Sequence, residues 1–169
     1  GENLQDHINA SLLYACNAPI TMHQLIRVDR AAINMARAAL FRDGPFAQFP
    51  VQGAAFTKTA PTLADPDIQW HFWNGLGASR LRIPLPFKSS DPLERDGFMV
   101  SLCVLRPKSR GHVRISSPNP SVYPHLQPNY FDDVDDLRRL REAVKQARMV
   151  CGQNSLARYI EKELAPGPC

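Results

Sequence analysis

The chain has no apolar run approaching the roughly 20 residues that a membrane-spanning helix needs, which excludes an integral helical membrane protein. Its first residues, Gly1-Glu2-Asn3-Leu4-Gln5-Asp6-His7, are polar and lack the basic start and apolar stretch of a secretory signal. An initiator methionine is missing too, so a start partway through a longer protein is expected. Cysteine is sparse: Cys16, Cys103, Cys151 and Cys169 stand far apart, with no C-x-x-C pair. That spacing argues against a disulfide scaffold and against a zinc site built on cysteine pairs. Reduced, structural thiols in a cytoplasmic protein are the expectation. None of the five histidines falls in H-x-x-x-H, so a metal site has no support. No G-x-G-x-x-G turn or P-loop appears, and Gly77-Ala78-Ser79 lacks the second glycine of a G-x-S-x-G elbow. Internal repeats and low-complexity tracts are absent as well.

What is present describes an ordinary domain. The 169 residues suffice for one hydrophobic core, and 44% hydrophobic with 21% charged residues is the balance of a soluble globular protein. The net charge of +4 is mild. Its densest cluster, Arg106, Lys108, Arg110 and Arg114, is not interleaved with aromatics as a nucleic-acid surface would be. Charge there reads as a solvated edge that blocks strand-to-strand association. Proline is abundant, with 15 residues, so short elements joined by many ordered loops are expected.

Local patterns place the elements. Ser11 to Cys16 reads as a strand. Thr21 can cap a helix whose inward face would be Leu25, Val28, Ala32, Met35, Ala36 and Ala39, ending near Asp43-Gly44-Pro45. Val51 to Thr57 is either a strand or a close-packed loop. Ile68 to Trp73, rich in aromatics after a Pro-Asp turn, predicts a strand. Residues 74–96 form a long loop, a type often functional or mobile. Phe98 to Leu105 is nearly all apolar, as in a strand covered on both faces. The Lys108-Ser109-Arg110-Gly111 turn and the alternation from His112 to Ser116 predict an antiparallel hairpin with it. A helix follows, capped by Asp132 or Asp133, with Leu137, Leu140, Val144, Ala147 and Cys151 inward and Gly152 at its end. Ser155 then caps a shorter helix carrying Leu156, Tyr159, Ile160 and Leu164. Strands in the middle and helices at either end predict an α+β fold, an antiparallel sheet of about six strands flanked by helices.

The order of local motifs adds a resemblance. Gly1 to His7 reads GENLQDH, similar to a segment of the glucose-methanol-choline oxidoreductases. Arg106 to Ser117 resembles that family's SRGxVxLxS stretch. Pro118-Asn119-Pro120, then Pro124 and Pro128-Asn129-Tyr130-Phe131, resemble its DP…P…NY run. The helix from Asp135 and the close at Glu163-Leu164-Ala165-Pro166-Gly167 continue the order. The five motifs cover the whole chain. The resemblance implies a single substrate-binding domain over residues 1–169, an antiparallel sheet with flanking helices. It also implies that the parent's flavin-binding Rossmann domain and C-terminal catalytic-histidine segment lie outside these residues. The parent reaction would remove a hydride from an alcohol to flavin, with FAD as cofactor and the flavin domain as partner. No flavin is expected on the isolated chain, which should be inactive. A non-enzymatic small-molecule binding module reusing the domain is the alternative reading. A third, unrelated to the family, is a hydrolase using Ser79 or Ser109.

Carried residue by residue, the resemblance marks three substrate-binding positions. His71 matches the cavity histidine of choline-oxidising relatives and could hydrogen-bond the substrate oxygen. On its own, a strand histidine reads more often as a group satisfied by its neighbours; with the resemblance the two readings stand even. Asn9 stands where choline-specific members carry a glutamate that offsets the trimethylammonium charge. Asparagine offers no charge, and a buried cation without an anion nearby is costly. A neutral primary alcohol is therefore expected over choline, although aromatic faces can partly hold a cation. Trp73 shares the strand face of His71, with Trp70 and Phe72 on the core side. The catalytic residues themselves are expected outside this chain, and no cofactor-binding residue is assigned within it.

Overall fold

A computed structural model describes residues 1–47, 51–77 and 93–167. Among them, the α+β expectation holds, with eight strands and four α-helices. The strands divide between two sheets, where about six in one sheet were expected. A three-stranded sheet has the order β1(Glu2–Leu4)-β6(Gly111–Arg114)-β7(His125–Gln127). A five-stranded sheet has the order β3(Val51–Thr57)-β4(Ile68–Trp73)-β5(Gly97–Val104)-β2(Asn9–Cys16)-β8(Ile160–Ala165). The β1·β6, β6·β7 and β2·β8 pairings are antiparallel. The additional strands are short or polar: β1 and β7 have almost no buried residue. Backbone pairing defines them, and hydrophobic alternation therefore could not reveal them.

Two compact units result, one of residues 1–10, 56–70 and 102–146, the other of residues 11–55, 71–101 and 147–169. In the first, Ile68, Leu102, Val104, Leu140 and Ala143 are buried. Helix α3 (Val134–Cys151) enters this unit at Asp136, which is fully buried. Its carboxylate accepts the Lys108 amide at 2.8 Å, the Ser109 amide at 2.9 Å and the Ser109 hydroxyl at 2.6 Å. Burial alone would push this carboxyl up, but the Ser109 hydroxyl and the two amides outweigh it and lower its pKa. The clamp also explains why the predicted hairpin does not form. Lys108 and Ser109 are held by a helix rather than closing a turn between paired strands, and β5 and β6 lie in different sheets. Gly111 starts β6 where a Cβ would fall on the Gln127 carbonyl oxygen, so only glycine permits that approach.

The inward stripe of α3 is rotated by one position from the expected one in part. Asp136, Leu140, Ala143, Ala147 and Cys151 are buried, while Leu137 is exposed and Val144 half-buried. A satisfied carboxylate can occupy a core position that a hydrophobic pattern reserves for leucine.

In the second unit, Leu12, Ala15, Phe98, Val100, Ala147 and Cys151 are buried. The Tyr14 and Phe98 rings stack at 5.1 Å between centroids, and Phe72 and Phe98 at 5.0 Å. The helix expected from Thr21 is two helices, α1 (Met22–Leu25) and α2 (Val28–Phe41). Thr21 does not cap with its side chain. Its hydroxyl and amide both donate to Asp96 Oδ1, at 2.9 and 3.1 Å, and Gln24 Nε2 donates to Asp96 Oδ2 at 2.5 Å. One carboxylate thus anchors the first turn separately, and the chain extends at Arg27 before α2 begins. The expected inward face of α2 is largely outward: Val28, Ala32, Met35, Ala36 and Ala39 are exposed, and Ala31 alone is buried in that helix.

The last predicted helix is also corrected. Helix α4 spans Asn154–Ala157, and Ile160–Ala165 continues as β8 against β2. Glu163, in the middle of β8, receives Arg148 Nη2 at 2.8 Å and Nε at 3.1 Å. A paired strand anchored by that guanidinium outcompetes a helix made of Leu156, Tyr159, Ile160 and Leu164, whose spacing alone had predicted one.

Candidate functional site

Within the second unit the aromatic stack decides which side of the sheet is free. Phe72, Phe98 and Tyr14 lie on one face of β4, β5 and β2, because their rings stack on each other. Neighbours in a strand point to opposite faces, so His71, Trp73, Met99 and Leu13 project to the other. All four are half-buried, unlike Phe98 and Tyr14. Trp70, in the first unit, is buried, with its indole N–H donating to Thr57 Oγ1 at 2.8 Å. Trp70 is thus core, as expected, while Phe72 stacks on Phe98 but is itself half-buried.

A cavity of about 300 Å³ opens where the free face meets α1 and the segments flanking residues 78–92. Its apolar wall consists of Met22, Ile26, Trp73, Leu76, Leu93 and Met99, and its polar side chains are His23, Asn74 and Arg95. Trp73 lines this cavity. His71 stands two residues earlier on the same face and is not among the described lining residues. Asn9 belongs to the first unit, where its exposed side-chain amide donates back to the His7 carbonyl oxygen at 3.3 Å.

Met99, His23 and Arg95 escaped the sequence reading. Met99 sat in an apolar run that read as covered on both faces. The signal that could have found it is its placement one residue after Phe98, which the aromatic pattern marks as inward. Arg95 Nη2 donates to Glu161 on β8, while Arg95 Nε is buried with no hydrogen-bond partner among the described residues. The chain offers no carboxylate among the described lining residues.

Of the other residues singled out, Ser109 is committed to structure. Its hydroxyl donates to Asp136 and accepts the Asp133 amide at 3.1 Å, and the residue is buried. A hydroxyl so held does not act as a nucleophile. Ser79 lies outside the described residues. Asp6 and Tyr130, from two of the sequence motifs, meet directly: the Tyr130 hydroxyl donates to Asp6, which lowers the pKa of that carboxyl. This pair ties the first motif to the NY motif in the first unit. Among the described residues no group of three or more His, Cys, Asp or Glu could hold a metal ion, and no helix is long and apolar enough to cross a membrane.

Comparison with known proteins sets this geometry in context. The sequence model described as GMC oxidoreductase matches residues 107–169. The chain is 29% identical over 167 residues to an oxygen-dependent choline dehydrogenase of Cronobacter sakazakii, covering 99% of this chain and 28% of that protein. Its fold is similar to that of pyridoxine 4-oxidase from Mesorbium loti, with a TM-score of 0.69 at 23% identity, over 100% of this chain and 28% of the oxidase. A formate oxidase of Aspergillus oryzae superposes with a TM-score of 0.79 at 17% identity, over 98% of this chain and 32% of the other. The chain thus spans less than a third of the length of these proteins.

Proposed function

Because this chain belongs to the glucose-methanol-choline oxidoreductase family, we propose that it forms the substrate-binding part of an FAD-dependent enzyme that oxidises a small alcohol. The observation that carries this reading is the free face of β4 and β5, which ends in a cavity walled by Trp73 and Met99. Ligand pockets of roughly 300–1,000 Å³ with mostly apolar walls and a few polar groups suit small molecules. At about 300 Å³ the cavity is at the lower end of that range.

The residues do not fit the cofactor itself. A flavin dinucleotide is cradled by a strand–turn–helix with closely spaced glycines at a helix N-terminus. No G-x-G-x-x-G occurs in the sequence, and the β1·β6, β6·β7 and β2·β8 pairings are antiparallel. No redox step is therefore assigned to this chain. Residues 1–169 act as one substrate-binding domain, and the flavin and the catalytic histidine belong to other parts of the parent. The part played by these residues is to bind the alcohol, orient it and keep water out. His71 and Trp73 face the substrate side, and Asn9 takes the position at which a charged residue would favour choline. A primary alcohol without a cationic group, rather than choline, is the expected substrate.

The test has two arms. In the full-length protein, anaerobic addition of a small primary alcohol should bleach the visible flavin band, and His71→Ala should weaken saturation by that alcohol. The purified 169-residue chain should carry no flavin and turn nothing over. A yellow, active preparation of the chain alone would refute the assignment.

A further inference from the structure

Resting on the reading above, we propose that Arg95 selects the substrate: the cavity takes an alcohol bearing a carbonyl-type oxygen acceptor, carboxylate included, rather than a quaternary ammonium alcohol such as choline. Three observations support this. The described lining residues include a guanidinium and an imidazole, Arg95 and His23, but no Asp or Glu. The two nearby carboxylates are already paired, Glu161 with Arg95 itself. Asp96 accepts from Thr21 and Gln24, and Glu161 on β8 accepts from Arg95 Nη2; neither lines the cavity.

The third observation concerns the remaining donor. Arg95 Nε is buried and has no hydrogen-bond partner among the described residues, although its Nη2 is paired. A buried N–H left without an acceptor is costly, and native proteins seldom leave one so unless a ligand or water completes it. Guanidinium favours planar oxygen acceptors, and its charge makes such a bond stronger than a neutral one. With Glu161 already paired to Arg95 and no carboxylate in the described lining, the enclosure offers a trimethylammonium group no anion to offset its charge. Met22, Ile26, Trp73 and Met99 would then pack against the alkyl part of the substrate.

The test uses the full-length flavoprotein and two kinds of probe. Calorimetry with butyrate, butyramide and tetramethylammonium reads binding without turnover, since none carries a hydroxyl to oxidise. Anaerobic flavin bleaching with γ-hydroxybutyrate, butanol and choline reads the reaction. Butyrate and butyramide should bind more tightly than tetramethylammonium, and γ-hydroxybutyrate should saturate at lower concentration than butanol or choline. Arg95→Met should weaken butyrate roughly 10- to 100-fold, and by more than it weakens butanol. Glu161→Gln, which frees Arg95 from its ion pair but keeps the guanidinium, should retain the preference for butyrate and guards against misfolding of the first variant. Tetramethylammonium binding as well as butyrate, or butyrate unaffected by Arg95→Met, would overturn the inference whatever the turnover. If no alcohol bleaches the flavin while butyrate still binds through Arg95, the acceptor site stands and the alcohol-oxidising reading falls.

Discussion

The Phe72 ring stacks on Phe98 at 5.0 Å between centroids, with the planes 26° apart, and this pair decides that Trp73 projects away from the core. Phe98 also stacks on Tyr14, so one residue holds three strands in the same facing. Phe98→Ala removes both partners and leaves a cavity, at an expected cost of about 3–5 kcal/mol. Phe98→Leu should lose distinctly less. Urea unfolding of the two variants measures the difference, and equal losses would show that the ring stack contributes nothing beyond volume.

Acid should loosen the joint between α3 and residues 108–109. Asp136 has a folded pKa below its unfolded value, since the Ser109 hydroxyl and two amides bind the charged form. Asp135, beside it, is also held well below the usual range, first by Arg138 and then by Lys108. For a depressed carboxyl the stabilisation is fully present above the unfolded pKa of about 4 and is lost as pH falls through the folded value. Stability should therefore be flat from neutrality to about pH 5 and decline below about pH 4. Asp136→Ala should remove several kcal/mol, about 3–5, by orphaning the buried Ser109 amide and hydroxyl and the part-buried Lys108 amide. It should also flatten the acid limb in a pH series of thermal melts. An unchanged limb would assign the acid sensitivity to other groups.

Isolated, the chain should self-associate. Helix α2 exposes Ile33 at 69%, Leu40 at 75% and Phe41 at 74% of their full surface, and large apolar side chains so exposed on one helix favour association. Replacing Leu40 and Phe41 by Lys should shift the sedimentation profile toward monomer at equal concentration while leaving the melting temperature within a few degrees. Association that survives both changes would point to another surface.

A charge introduced at Asn9 tests the expected preference for an alcohol without a cationic group. In the full-length protein, Asn9→Glu should improve choline binding about 10-fold, near 1.4 kcal/mol, and leave a neutral alcohol almost unaffected. Competition between choline and the alcohol in flavin bleaching reads both at once. Equal effects on the two would separate Asn9 from the substrate.

Much of the architecture was legible because it is written in local terms. The aromatic run from Ile68 to Trp73 and the apolar run from Phe98 form strands, and α3 runs to Cys151 with Gly152 just beyond. The failures share a cause. Thr21, Asp136 and Glu163 each take a role set by a partner 15 to 75 positions away in sequence: Asp96 for the first, Ser109 for the second, Arg148 for the third. Periodicity carries no trace of such partners. Strand alternation, a local rule, put Trp73 on the same face as His71, whereas Met99 and Arg95 reached the cavity of Trp73 only through the meeting of separate segments.

Residue order by itself determined the α+β class, the succession of motifs and which residues of the aromatic strand share a face, since these follow from backbone geometry and hydrophobic spacing over a few residues. Tertiary structure alone decided that β5 and β6 belong to different sheets, that Ile160–Ala165 is a strand, and that a guanidinium rather than a carboxylate stands at the cavity. Those outcomes depend on which distant donors and acceptors find each other once water is excluded. That competition is settled by the folded chain as a whole, because a buried polar group is stable only when its partner arrives with it.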